Sequence, residues 1–222
     1  MMPAVSPPAS RSSWRLVVPV RGGPAGKSRL TALEGRLLTE HERSELALAM
    51  ARDTIGAALA AGSGSVVVLT GDEDVATLAA GCGAGVVADT GQGLNAELHA
   101  AAATHPSAGV CALLGDLPAL AASDLVELLD AAEGLGAPGV FVPDWEETGT
   151  TCVAVPGPFA ATPLFHFGPH SAERHRRAGL VPSALTRSRL RTDVDTPLAW
   201  DRAVGLGLGP ATAEVRRRVL GR

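Results

Sequence analysis

Three aspartates stand where carboxylates can act together. Asp116 lies in Gly115-Asp116-Leu117-Pro118, directly after the apolar run from Gly109 to Leu114, and the other two lie in Asp193-Val194-Asp195-Thr196-Pro197. The apolar run reads as a buried strand, broken by Gly-Asp and stopped by Pro118. An aspartate at the carboxyl end of a central parallel strand stands where open α/β sheets bind their ligands. Alternation along an extended segment puts Asp193 and Asp195 on the same side. Converging carboxylates repel one another unless a cation bridges them, and hard oxygen donors suit Mg²⁺ with a phosphate-bearing substrate. Each residue also has a plainer reading. Asp116 would be a turn residue capping a helix that begins near Ala122, Asp195 the cap of a helix opened at Thr196-Pro197, and Asp193 a solvated carboxylate.

A second group of residues is suited to anions. Arg21 and Lys27 flank Gly22-Gly23-Pro24-Ala25-Gly26, whose glycines let the backbone approach a polyphosphate that the two cations neutralise. The loop resembles G-x-x-x-x-G-K-[ST], but that spacing requires glycine where Arg21 stands, and the next helix signal comes only at Thr39. A P-loop NTPase is disfavoured accordingly. Thr148-Gly149-Thr150-Thr151 and Phe167-Gly168-Pro169-His170-Ser171 each offer backbone N–H groups and a hydroxyl, the second at a helix N-terminus. Asn95 follows Gly91-Gln92-Gly93-Leu94 and reads either as a helix cap or as a nucleotide contact. His166, His170 and His175 have a spacing that fits no closed zinc set and read as acceptor-pocket or surface residues.

These residues must be carried by a scaffold, and composition bounds it. The chain has 222 residues, 46% of them hydrophobic and 19% charged, which suits one globular core. A formal net charge of −4 argues against a nucleic-acid binder that relies on a basic face. Cys82, Cys111 and Cys152 show no C-x-x-C spacing, so neither a disulfide framework nor a zinc site is indicated. No apolar run approaches the ~18 residues of a membrane span. The first 13 residues read as a flexible tail without a signal-peptide core, residues 14–222 as one domain, and the location as cytoplasmic.

Along the chain the patterns predict strands over 14–20, 65–70, 85–88, 109–114, 140–143 and 150–155. Helices are predicted over 39–61 (with a Thr39/Glu42 capping box), 72–80, 95–103, 123–133 (with Ser123 as N-cap), 171–178, from Pro197 onward, and over 210–220. The alternation of strand and helix indicates a mostly parallel α/β sheet with right-handed crossovers. Thr150 to Val155 has no obvious helix before it and is therefore expected as an antiparallel addition.

The order of these motifs resembles one family. The basic glycine loop with Lys27, Leu94-Asn95, Gly115-Asp116-Leu117-Pro118, Thr148-Gly149-Thr150, Phe167-Gly168-Pro169 with Ser171-x-x-x-His175, and Asp193-Val194-Asp195-Thr196-Pro197 together resemble the phosphoenolpyruvate / 2-phospho-L-lactate guanylyltransferases of coenzyme F-420 (deazaflavin) biosynthesis. The resemblance covers about Trp14 to Val215. It implies a three-layer Rossmann-like nucleotidyltransferase fold (GT-A-like) and Mg²⁺-dependent transfer of GMP from GTP to phosphoenolpyruvate or 2-phospho-L-lactate, with release of pyrophosphate. It also implies hand-over of the product to the next enzyme of the deazaflavin pathway. By position, Asp116, Asp193 and Asp195 would hold metal, and Thr148, Gly168 and Ser171 would bind the acceptor. Arg21, Lys27 and Asn95 would serve the nucleotide, with Asp116 and Lys27 as the catalytic pair. The alternatives are a molybdenum-cofactor guanylyltransferase-like enzyme, whose Gly-Gly-x-x-x-Arg-x-Gly loop is not seen here, and a non-catalytic nucleotide-binding regulator.

Overall fold

The structure is a computed structural model that describes residues 14–22, 29–104, 109–160, 162, 164–184 and 188–221. Its centre is strand β1 (Trp14–Pro19), whose residues are almost all buried. A short hairpin, β2 (Ala32–Leu33) and β3 (Arg36–Leu37), comes next, then helix α1 (Glu40–Ala60). Strand β4 (Gly64–Thr70), α2 (Glu73–Cys82), β5 (Gly85–Ala88), α3 (Leu94–Ala103), β6 (Gly109–Leu113) and α4 (Ala122–Gly134) continue the alternation. After β7 (Val140–Pro143) and β8 (Thr150–Val155) come α5 (Ser171–Arg177), β9 (Val181–Pro182), α6 (Ser188–Arg191), α7 (Pro197–Leu206) and α8 (Pro210–Leu220).

The sheet order is β5-β4-β1-β6-β8-β7-β9. Strand β8 runs antiparallel to both β6 and β7, and the other pairings are parallel. The expected mostly parallel sheet with one antiparallel addition is therefore observed. Alternation divides the core in two. Leu16, Val18, Val66, Val68, Cys111 and Leu113 face one layer of helices, α1, α2 and α4. Val17, Val67, Leu69, Val110 and Ala112 face the other, built from α3 and the segment from Phe159 to Leu180. A third cluster joins the hairpin, α1, α7 and α8 around Trp200 and Val194.

Local signals held in most places. Thr39 caps α1 with the reciprocal Glu42 bonds of a capping box, Asp72 caps α2, and Thr196 caps α7 with Pro197 at its first position. Helix α4 differs from expectation. Its N-cap is Ala121, whose backbone N–H donates to the Asp124 carboxylate at 3.1 Å, and Ser123 lies inside the first turn. The Asp124 carboxylate, at the third helical position, satisfies the N–H of the cap residue itself, one of the orphan amides at a helix start. Asn95 likewise lies within α3, whose N-cap is Gly93. The β2–β3 hairpin, β9 and α6 carry too few residues for periodicity to reveal them.

The loop after β6 is pinned from three sides. Leu117 N–H donates to Thr54 Oγ1 of α1 at 3.1 Å, Asp116 C=O accepts from Val194 N–H at 3.0 Å, and Pro118 C=O accepts from Gly209 N–H at 2.7 Å. Thr54 is fully buried and also donates to Met50 C=O at 2.9 Å. Gly115 permits the close approach. A Cβ there would lie 2.6 Å from Val20 Cγ2 and 3.1 Å from Pro19 O, so a side chain would push the loop off β1.

On the other face, His175 of α5 is fully buried. Its Nε2 accepts from His166 N–H at 3.0 Å, which places the proton of the neutral ring on Nδ1, 2.9 Å from Thr150 Oγ1. Burial, reinforced by His166 and Arg174, pushes its pKa down from 6.5 to about 4.

Two outcomes are expected. Thr54→Val leaves Leu117 N–H buried without its acceptor and should cost about 1–3 kcal/mol in urea unfolding, with Thr54→Ser retaining most of the stability. For His175 the folded pKa lies below the unfolded value, so its contribution is whole above pH 6.5 and is lost as pH falls through 6.5 towards about 4. The loss is on the order of 3 kcal/mol. It should show as a steeper fall of unfolding free energy between pH 7 and 4.5 in the parent protein than in His175→Gln.

Candidate active site

The three aspartates meet at the carboxyl end of β6. Val194 is completely buried, and its N–H bond to Asp116 C=O lays residues 193–195 alongside the loop. With Val194 turned into the core, its two neighbours turn the other way. One oxygen from each of Asp116, Asp193 and Asp195 lies within 4.8 Å of the others. All three residues are half-buried. Three carboxylates at this spacing are an all-oxygen donor set for a hard divalent cation. The capping readings fall away: Thr196 is the cap of α7, accepting from Ala199 N–H at 3.2 Å, and α4 is capped at Ala121.

These residues line a cleft of about 390 Å³ whose walls also include Arg21, Leu94, Leu114 and Gly168. That volume falls in the range of small-molecule sites. Arg21 is exposed at the end of β1. Arg29, which the sequence reading had not assigned a role, reaches Asp195 with a 2.5 Å ion pair from an exposed position. Its only sequence signal is a cation two residues beyond Lys27 in a loop. Lys27 itself, with the glycine loop from Gly23 to Ser28 and the N-terminal tail, lies outside the described residues.

The acceptor candidates come together at the start of α5. Gly168 adopts φ +118°, a conformation that favours glycine, and its carbonyl accepts from Ser171 N–H at 3.1 Å. Thr148 is joined to the same turn because its carbonyl accepts from Ala172 N–H at 3.2 Å. Asp144 shapes the Thr148 loop by accepting from Thr148 N–H at 3.0 Å and Gly149 N–H at 2.8 Å. A Cβ at Gly149 would fall 2.3 Å from Asp144 Oδ2, so a side chain there would displace the carboxylate that shapes the loop. Of the three acceptor candidates, Gly168 lines the cleft with the aspartates, whereas Ser171 is buried and Thr148 exposed, and neither is among the cleft's lining residues. Asn95 is half-buried on α3, and its carboxamide bonds to both backbone groups of Phe167. Of the three histidines, His170 is exposed, His166 half-buried and His175 interior.

Comparison with known proteins follows this geometry. A family model described as "Guanylyl transferase CofC like" matches residues 14–154. The chain is 44% identical to a phosphoenolpyruvate guanylyltransferase of Streptomyces coelicolor over 216 residues, covering 93% of this chain and 97% of the relative. It is 42% identical to one from Streptomyces avermitilis over 214 residues, covering 93% and 95%. Among solved structures, the nucleotidyl transferase Mth528 of Methanothermobacter superposes with a TM-score of 0.58 at 15% identity, over 86% of this chain and 95% of the other. Rv0371c of Mycobacterium tuberculosis, solved in complex with manganese, superposes with a TM-score of 0.55 at 20% identity, over 87% and 99%. At these identities the structural matches establish the fold, a Rossmann-like nucleotidyltransferase sheet between helix layers. The sequence matches go further, and on them the chain belongs to the CofC-like guanylyl transferase family.

Proposed function

We propose that this protein transfers GMP from GTP to phosphoenolpyruvate, giving enolpyruvyl-diphospho-5'-guanosine and pyrophosphate, a step of coenzyme F-420 biosynthesis. In the reaction a phosphate oxygen of the acceptor bonds to the α-phosphorus of GTP, and the bond from that phosphorus to the bridging oxygen of pyrophosphate breaks. The observation that carries the reading is one cleft lined by Asp116, Asp193 and Asp195, whose carboxylates lie close together, and also by Arg21 and Gly168. The phosphoenolpyruvate guanylyltransferases at 42% and 44% identity favour phosphoenolpyruvate over 2-phospho-L-lactate as the acceptor.

The attacking phosphate oxygen is already ionised, so the site needs alignment and charge stabilisation more than a general base. Arg21 and Lys27 attract the polyphosphate of GTP, and Thr148, Gly168 and Ser171 receive the carboxylate of the acceptor. Asp116, Asp193 and Asp195 hold Mg²⁺, which when bound offsets negative charge on the phosphates. Arg29, paired with Asp195, stands close enough to add a further cation to the same region.

The test is pyrophosphate release with GTP, Mg²⁺ and either phosphoenolpyruvate or 2-phospho-L-lactate, with the next enzyme of the deazaflavin pathway present to draw off a labile product. Release is expected with phosphoenolpyruvate, abolished by a chelator and restored by Mg²⁺. Asp116→Asn should lower kcat by about 100-fold or more, the scale for losing a group that organises transition-state charge. No release with either acceptor, in protein that binds GTP, would leave a nucleotide-binding regulator as the better description.

A further inference from the structure

The segment from Phe165 to Phe167 is held in an unusual way. Three successive backbone N–H groups donate to side chains: Phe165 to His99 Nε2 at 3.1 Å, His166 to His175 Nε2 at 3.0 Å, and Phe167 to Asn95 Oδ1 at 2.7 Å. Buried amides ordinarily find backbone partners in a sheet or helix. Here two imidazoles and a carboxamide replace the neighbouring strand. Asn95 also returns a bond, Nδ2 to Phe167 C=O at 3.0 Å, so its carboxamide pairs with Phe167 as an opposite peptide would. Arg174 Nη2 donates to the same carbonyl at 3.1 Å.

Asn95 and His99 are four residues apart on α3 and therefore share one face of the helix. His99 also stacks on Phe165, with ring centroids 5.2 Å apart. The segment they hold ends at Gly168, which lines the cleft in its positive-φ conformation and leads into the α5 turn that gathers Thr148 and Ser171. Phe167, the residue immediately before Gly168, is therefore held by Asn95 through both its N–H and its C=O group.

We propose that Asn95 and His99 are positioning residues of the acceptor side of the site, acting through Phe165 to Gly168 and not on the nucleotide. The inference rests on the guanylyltransferase reading above. It assigns Asn95 a role different from the nucleotide contact expected from the sequence, because Oδ1 and Nδ2 of its side chain each bond to Phe167 and Asn95 is not among the residues lining the cleft.

The experiment compares Asn95→Ala, His99→Phe and His99→Gln with the parent protein. KM is measured separately for phosphoenolpyruvate and GTP, and hydrogen exchange of the 165–167 amides is followed in the free protein. In His99→Phe, which loses one hydrogen bond, the acceptor KM should rise about tenfold, and in Asn95→Ala, which loses two, by at least as much, with the GTP KM within about twofold in both. The same variants should speed exchange of the amide each had held. His99→Gln, whose amide oxygen can accept from Phe165 N–H, should return both quantities towards the parent values. A rise in GTP KM with the acceptor KM unchanged would overturn the proposal, as would unaltered amide exchange or a fall in thermal stability with both KM values unmoved. If the parent protein releases no pyrophosphate while the amides respond as expected, the functional reading fails. The acceptor role then falls with it, and the exchange result leaves only the hold of Asn95 and His99 on residues 165–167.

Discussion

The site depends on one backbone hydrogen bond, Val194 N–H to Asp116 C=O at 3.0 Å. It joins two stretches 78 positions apart (194 − 116) and sets their relative height. Because Val194 is driven into the Trp200 cluster, the carboxylates on either side of it are turned towards Asp116. The apolar burial of one residue therefore opposes the mutual repulsion of three charges. A shift of the register by one residue would bury a carboxylate and expose the valine, which is costly in both respects.

The rest of the fold holds that bond in place. Residues 53 and 54 of α1 act in succession: Asp53 accepts from Ala211 and Thr212 N–H at 3.0 and 2.8 Å, and Thr54 accepts from Leu117 N–H. Gly209, just ahead of α8, closes the circuit to Pro118. The C-terminal helix, remote in sequence from the aspartates, is thus part of their support. Across the cleft, support comes instead from side chains of α3 and α5 that replace strand partners for residues 165–167. Both imidazoles among them have lowered pKa values, chiefly through burial, which favours the neutral ring whose free nitrogen can accept.

Much of this was legible in the chain. Alternating strands and helices gave the layered parallel sheet, and the lack of a helix before Thr150 gave the reversed β8. Thr39, Asp72 and Thr196-Pro197 were read correctly as helix starts because capping is a local interaction. Helix α4 starts one residue ahead of Ser123, with Ala121 as its cap and the Asp124 carboxylate accepting from Ala121 N–H. The β2–β3 hairpin, β9 and α6 have two to four residues each and display no period to read. Thr54, Asp144 and His99 carry no sequence signal, since each acts on a backbone group rather than belonging to a motif.

The sequence by itself determined the residue types at the site, the strand-end placement of Asp116 and the pairing of Asp193 with Asp195 by alternation. These are short-range properties, fixed by φ/ψ preference and by the two-residue period of extended chain. Tertiary structure alone decided that Asp116 meets the other two, that Arg29 reaches Asp195, and that Asn95 bonds to Phe167 instead of capping α3. Each of those contacts spans more than 70 positions, and no local preference encodes a partner at that distance. Only the packing of α7 and α8 with α1 and the hairpin, and of α3 on the sheet, brings the groups within reach.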